Sequence, residues 1–284
     1  MELLQLKYFC DAAESENFSK TAEKFFVPPS SVSQSIRRLE NDLGTSLFDR
    51  RANRISLNEE GKIFYRAVSQ SDRILADAKR ELTDCQKELH GEVRLQILCN
   101  RRIVSEAIGL FNHQYPKVTF VLNHGYVSKQ EFDLIISDRD FFHGSFVGTP
   151  LVTEEIGLAC SCHHPLAKHE SISVADLSQE RFITPHENNS LSKMTHHICN
   201  EAGFAPHIAI ECDDPLYIRT YIEMGLGIGF VPLFSFKGQL SDKLVIKKIP
   251  DLVRTTNVYH NPKIHMTKAV QKFLEILTEL CARS

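Results

Sequence analysis

Two stretches of this chain carry side chains suited to holding charged partners. The first is Ser30-Ser31-Val32-Ser33-Gln34-Ser35-Ile36-Arg37-Arg38, followed closely by Arg50, Arg51 and Arg54. Short hydroxyls, an amide and guanidinium groups are the side chains that meet phosphate oxygens and base edges in a DNA major groove. The second is Cys99-Asn100-Arg101-Arg102, where arginines stand at the start of a helical pattern and favour a carboxylate or sulfate. A third set, Cys160-Ser161-Cys162-His163-His164 with His196, His197 and Cys199, contains the ligand types of a zinc site. Cys160 equally fits as a small core residue of a strand.

The elements around the first stretch decide which way it faces. Val32, Ile36, Leu39 and Leu43 recur at helical spacing and form the inward stripe, Leu43 included. Ser30, Ser33, Gln34 and Arg37 then lie opposite, flanked by Ser31, Ser35 and Arg38. Pro28-Pro29 launches this helix: a residue before proline is pushed out of the helical region, while Pro29 suits a first helical turn. Gly44 closes it. Upstream, Leu6, Phe9, Cys10 and Ala13 share one face of a first helix, and Ser19 is the expected N-cap of a second that runs to Phe25. Downstream, Leu47–Arg50 and Arg54–Leu57 read as two short strands. Helix–turn–helix followed by a small hairpin is the layout of a winged helix-turn-helix.

From Asn58 to about Leu89 the chain has no proline, and Phe64, Val68, Ser71, Leu75, Ala78, Leu82, Cys85 and Leu89 recur at heptad spacing. A helix of that extent is ~48 Å long, and a lone helix cannot bury such a stripe, which implies a partner helix and a coiled-coil dimer. Beyond Gly91 strand-like and helical patterns alternate. Strands are expected at Val93–Leu98, Val118–Leu122, Asp133–Ile136, Ile156–Cys160, Phe182–Thr184, Ile208–Ile210 and Ile228–Val231. Helices are expected at Ile103–Tyr115, Leu191–Ala202, Pro215–Met224 and Thr267–Cys281. Such alternation argues an α/β fold with mainly parallel sheets, long enough for two lobes and a cleft.

Bulk properties narrow the classes. A chain of 284 residues exceeds one small core, and 42% hydrophobic with 24% charged residues is ordinary for a globular protein. The net charge of −3 gives no global nucleic-acid signature, so the DNA argument rests on local clustering. No apolar run reaches the ~18–20 residues of a membrane span, and the start of the chain lacks a basic leader, which suggests a cytoplasmic location. The eight cysteines are too scattered for a disulfide framework, and no pair has a redox-motif spacing. No Gly-x-Ser-x-Gly elbow or phosphate loop occurs, and the Met224–Gly229 glycines precede a strand instead of following one. No catalytic residue, cofactor or resident metal is assigned.

With these residues in view, the chain resembles the LysR-type transcriptional regulators. The resemblance rests on Phe18-Ser19, Ala22-Glu23, Val32-Ser33, Ile36, Leu39-Glu40, Leu43-Gly44, Leu47-Phe48, Arg50, Leu57-Asn58 and Gly61, at near-constant spacing through the first segment. Downstream, His164-Pro165-Leu166-Ala167, Asp176-Leu177, Gly203-Phe204, Pro206 and Gly225-Leu226-Gly227-Ile228 are similar to landmarks of the family's effector domain. The resemblance implies a regulator that binds promoter DNA as a dimer or tetramer. It also implies a periplasmic-binding-protein-like two-lobe domain with a small molecule in the cleft. The implied segments are 1–57 for DNA, 58–89 for the linker helix and 90–284 for the effector domain. Lobe I then takes about 90–162 and 256–284, and lobe II about 163–255. The resemblance adds Ser137, Thr184 and Ser190 to Asn100 and Arg101 as effector-binding candidates. One departure stands out: relatives commonly carry a base-touching glutamine where this chain has Pro29. The residues also admit two other readings: a metal- or redox-responsive regulator using the Cys/His residues, and a DNA-binding protein whose second segment only mediates assembly.

Overall fold

The computed structural model describes residues 1–51, 54–84, 88–125, 132–138, 146–187, 189–236 and 241–283, without the side chains of residues 51, 54 and 83. The chain divides into two units, Met1–Cys85 and Gln86–Ser284.

The first unit contains α1 (Leu3–Ser15), α2 (Phe18–Lys24), α3 (Pro29–Leu43), the hairpin β1 (Phe48–Arg51) and β2 (Arg54–Leu57), and α4 (Glu59–Asp84). Asn17, not Ser19, caps α2: its Oδ1 accepts the N–H groups of Ser19 at 2.9 Å and Lys20 at 3.1 Å. An extended backbone at Asn17 sets the amide oxygen over the first turn, whereas Ser19 is already helical. Pro28 is extended (φ −61°, ψ 144°) and Pro29 occupies the first position of α3, so the proline pair is a helix start. Gly44 ends α3 at φ 71°, a left-handed conformation that costs glycine little.

Phe9, Val32, Ile36, Leu39 and Leu47 are fully buried, and rings from Phe9, Phe18, Phe48 and Phe64 meet at 5.2–5.8 Å in edge or tilted contacts. Each such apolar side chain contributes about 1.5–3 kcal/mol. The expected inward stripe fails at its last member. Leu43 is 37% exposed, because the final turn of α3 extends past the core. Glu40, one turn earlier, is buried in its stead, since its carboxylate serves the backbone of β1.

Asn58 opens α4 with two bonds: its Oδ1 accepts the Gly61 N–H at 2.7 Å, and its Nδ2 donates to the Ser46 carbonyl at 2.8 Å. Gly61 sits so close to the hairpin that a Cβ there would stand 2.2 Å from the Leu47 oxygen. Along the heptad stripe, Val68 is buried and Phe64 half-buried, but Leu75 is 52% and Leu82 69% exposed. Cys85 lies outside the described residues. Leu89 leaves the stripe altogether: α4 ends at Asp84, Glu88 is a bend, and Leu89 packs against the core of the second unit.

The second unit runs β3 (Gly91–Ile97), α5 (Arg101–Gln114), β4 (Val118–Asn123), β5 (Leu134–Ser137) and β6 (Val147–Ser161). Two 3-10 turns (Pro165–Lys168 and Val174–Leu177) follow, then β7 (Arg181–Thr184), α6 (Ser190–Glu201), β8 (His207–Glu211) and α7 (Pro215–Glu223). The chain closes with β9 (Gly229–Pro232), α8 (Leu233–Phe236), β10 (Leu244–His260) and α9 (Lys268–Ala282). One sheet has the order β4-β3-β5-β10-β6-β9, and β7 pairs with β8. The six-stranded sheet is mixed, not mainly parallel. β3 is parallel to β4 and β5, and β7 to β8, while β10 runs antiparallel to β5 and β6, and β9 to β6.

The 17-residue β10 has no counterpart in the strand pattern of the sequence. Pro250 and Asp251 (φ 59°) interrupt its alternation, and a register shift between Lys248 and Val253 absorbs them. With β6 it runs through both lobes. One lobe buries Val93, Leu95, Phe111, Leu134, Phe273 and Leu277 between sheet and helices, and the other buries Ile156, Leu158, Leu177, Phe182 and Ile228. Among the described residues, no helix is long and apolar enough to cross a membrane.

Candidate nucleic-acid interface and effector cavity

The outer face of α3 is built as its spacing requires. Ser30, Ser31, Gln34, Arg37 and Arg38 are exposed and Ser33 is half-buried, above the sequestered Val32, Ile36 and Leu39. Among the described residues Arg37 and Arg38 form no ion pair, so both guanidinium groups are available to an outside anion.

Arg50 is engaged differently. Its Nη2 lies 2.8 Å from Glu40 Oε2, while Glu40 Oε1 accepts the N–H groups of Leu47 at 2.8 Å and Phe48 at 3.4 Å. The guanidinium also lies over the Phe18 ring, 5.8 Å from its centroid. Arg50, 34% exposed, is thus a strut between hairpin and helix with one side left open. Arg51 and Arg54 face each other across the hairpin ladder, and their side chains lie outside the described residues. Glu40 was missed by the sequence reading, although an acid four residues after Ile36, in line with the buried stripe, signals an inward ionic anchor.

In the second unit a cavity of about 300 Å³ opens where the β3–α5 turn, the start of α7, the β9–α8 turn and β10 converge. Asn100 and Arg101 line it, as do Arg102, Asp213, Asp214 and Arg254. Asn100 is buried in a left-handed conformation (φ 54°), which asparagine tolerates better than most residues. Its side chain does not cap α5: Nδ2 donates to Thr256 Oγ1 at 2.6 Å, and Oδ1 accepts the Ser235 hydroxyl. The first turn of α5 therefore meets the cavity without a side-chain cap. Arg101 reaches the His124 carbonyl at 3.4 Å. Arg102 pairs with Glu106 and packs its guanidinium 5.2 Å from the Phe234 centroid.

Ser137, Thr184 and Ser190 are not among the residues that line the cavity. Ser137 is fully buried at the end of β5. Thr184 donates to the Pro185 carbonyl at 2.6 Å. Ser190 donates to Asp138 Oδ2 at 2.6 Å, joining the start of α6 to the residue after β5.

Asp138 belongs to a buried network that local sequence did not disclose. Arg254 Nη2 meets Glu154 Oε1 at 2.7 Å, and Nη1 meets Asp138 Oδ2 at 3.1 Å, with all three side chains at least 94% buried. Ser235 donates its N–H to Glu154 Oε2 at 2.9 Å, and its hydroxyl, whose one proton Asn100 Oδ1 and Glu154 compete for, lies 2.9 Å from Glu154 Oε1. Burial opposes the guanidinium's charge, but the negative groups around it prevail and hold its pKa above the ordinary value. Arg254, Glu154 and Ser235 are over 80 residues apart or sit on unrelated elements, so no spacing announces them. Asp214 is a different case: an Asp directly before Pro215 is a helix-start signal, and its Oδ1 accepts the Leu216 N–H at 2.8 Å.

The Cys/His stretches are engaged within the fold. His164 Nδ1 caps the turn at Leu166 (3.3 Å) and its Nε2 lies 3.3 Å from Glu180, while His196 bonds the Ser192 carbonyl at 3.0 Å. Among the described residues no three His, Cys, Asp or Glu side chains gather as a metal site. Burial pushes the thiols of Cys10, Cys199 and Cys281 up to about 11, and burial together with Asp138 pushes Cys99 up to about 12. Such thiols hold little thiolate at neutral pH and react slowly with oxidants.

Residues 3–62 match the family described as bacterial regulatory helix-turn-helix protein, lysR family, and residues 86–282 match the LysR substrate binding domain. The chain belongs to the LysR family of transcriptional regulators. It carries a helix-turn-helix DNA-binding domain followed by a two-lobe effector-binding domain, and effector-modulated regulation of transcription is its function. It is 31% identical to the uncharacterized HTH-type transcriptional regulator YybE of Bacillus subtilis (strain 168) over 82% of each chain. To the transcriptional dual regulator GltC of the same organism it is 26% identical, over 100% of this chain and 98% of the other. Its fold matches full-length CbnR complexed with target DNA at a TM-score of 0.67 and 18% identity, covering 99% of this chain and 100% of that one. The curated relatives are named as regulators, and LysR-type regulators bind promoter DNA and form oligomers.

Proposed function

We propose that this LysR-type regulator reads its promoter sites through Ser30, Ser31, Ser33, Gln34, Arg37 and Arg38 of α3, with Arg50, Arg51 and Arg54 of the hairpin on the flanking backbone or minor groove. The observation that carries this reading is the face of α3. Arg37 and Arg38, without an ion pair among the described residues, stand outward with Ser30, Ser31 and Gln34 and a half-buried Ser33, over a helix whose other side is buried. Recognition helices enter the major groove with such a face. DNA reading needs no chemistry on the bound strand, so the protein acts without catalysis, in the cytoplasm.

The effector site is the 300 Å³ cavity, and its occupant is a small organic anion with an apolar body. Arg101 and the uncapped first turn of α5 draw the anion, and Asn100 sets the geometry of that turn. Ser137, Thr184 and Ser190 act without lining the cavity. Ser190, through Asp138, ties the α6 side of the cleft to Arg254, so a ligand that draws the lobes together strains or relieves that link. The heptad residues Leu75 and Leu82, exposed in a single chain, pair with a second copy through the 58–89 segment, and the dimers assemble further into tetramers. The domains follow the division 1–57, 58–89 and 90–284.

The test is selection of duplexes from a random pool by the full-length protein, with thermal shifts against a panel of small carboxylates. The reading predicts an enriched sequence whose two half-sites mirror a dimer, and a carboxylate-induced rise in Tm that Arg101→Ala abolishes. An unenriched pool removes the DNA assignment, and a thermal response that survives Arg101→Ala removes the role of that residue.

A further inference from the structure

Between α2 and α3 the chain places a phenyl ring where the folded unit has no use for it. Phe26 is 96% exposed, and its φ of 55° is a left-handed conformation that bulky side chains rarely adopt. The backbone is held there by two bonds, Phe26 N–H to the Glu23 carbonyl at 3.2 Å and Val27 N–H to the Ala22 carbonyl at 3.0 Å. Phe25, its neighbour, does the packing: its ring meets Tyr8 at 4.9 Å. Glycine or asparagine at position 26 would keep the turn with less strain and less exposed hydrocarbon. Strain and exposure together, in a ring that is almost wholly outside the packing of the described residues, point outward.

What lies outward is set by the neighbours. Pro28, Pro29, Ser30 and Ser31 are exposed and continuous with Phe26 along the chain, and they form the leading end of the helix whose N-terminal residues address base edges. We infer that Phe26 is an apolar DNA contact, its ring laid against hydrocarbon of the duplex at the mouth of the major groove. That hydrocarbon is a thymine methyl or the CH face of a deoxyribose. Phe26, Pro28 and Pro29 make one small apolar edge beside a polar reading face. A protein partner is disfavoured, because one ring and two prolines fall far short of the ~800 Å² per side of a stable protein interface.

This inference rests on the DNA reading above, and its test separates the two. A duplex enriched by the wild-type protein serves as probe, and binding is followed by anisotropy for wild type, Phe26→Asn and Phe26→Gly. Both substitutions suit a positive φ. Phe26→Asn should leave Tm unchanged or raised and weaken binding by about 5- to 30-fold. The salt dependence should stay the same, since no phosphate contact is removed. Probes with deoxyuridine in place of thymine locate the contact. A loss in wild type that vanishes in Phe26→Asn assigns the methyl, and no thymine dependence assigns the deoxyribose. Undiminished binding by both variants overturns the inference, as does a loss matched by a fall in Tm in both. Failure of the wild-type protein to enrich any sequence would instead count against the DNA reading itself.

Discussion

The polar face of α3 and the wall of the cavity in the second unit both present arginine, yet they are made in opposite ways. On α3 the polar residues come from nine consecutive positions, and Arg37 and Arg38 are exposed and without an ion pair among the described residues. In the cavity Arg254 is 6% exposed and gripped by two buried carboxylates far away in sequence, Glu154 directly opposite it on β6 and Asp138 just after β5. An exposed guanidinium is available for an external phosphate and loses little if none arrives. A buried one must be neutralised by the protein itself, because an isolated charge in the interior is prohibitively costly. The first arrangement leaves its charge open to solvent; the second spends its charge inside the fold.

Arg254→Ala should be the most damaging change. It leaves two carboxylates buried without their partner, and a loss of about 3–5 kcal/mol is expected, measured by urea unfolding of the full-length protein. A loss under 1 kcal/mol would mean that water already reaches these carboxylates. Next comes Gly61→Ala, with about 1–3 kcal/mol of destabilisation of the first unit, since a methyl cannot coexist with the Leu47 oxygen. Far-ultraviolet melting curves check it, and an unchanged Tm would show that the hairpin moves freely on α4.

A paired comparison sharpens the contrast within the DNA-binding unit. Arg37→Ala should weaken binding to an enriched duplex by about 1–3 kcal/mol while leaving stability alone. Arg50→Ala should lower Tm as well, because it unties Glu40 from the hairpin. Equal Tm values for the two variants would dismiss Arg50 as a strut. The smallest effect belongs to Ser190→Ala, which removes one hydrogen bond to Asp138 and should cost about 0.5–1.5 kcal/mol. Its informative readout is the carboxylate affinity: a change there, in either direction, shows that the link senses lobe closure, and none confines Ser190 to packing.

The legibility of the two regions in sequence followed the same division. Pro29 as a helix start, Gly44 as its stop and Val32, Ile36 and Leu39 as its buried stripe were all readable, because helix signals act within four residues. The errors there were local too: Asn17 displaced Ser19 as cap, and Leu43 overran the core. In the effector unit most strands and helices were legible as periodic runs, but β10 was not. Its alternation is broken at Pro250 and Asp251, and only pairing with β6 over most of its length makes it a strand.

Sequence by itself determined the helix-turn-helix, its polar outward face and the family, since those depend on neighbours along one helix and on motif spacing. Tertiary structure alone decided that Glu40 and Arg50 clasp the hairpin, that Ser190 bonds Asp138, and that Arg254 joins Glu154 and Asp138. The physical reason is range. A helical face is set by a period of 3.6 residues, whereas an ion pair spanning 100 positions is selected by burial, which no local pattern encodes.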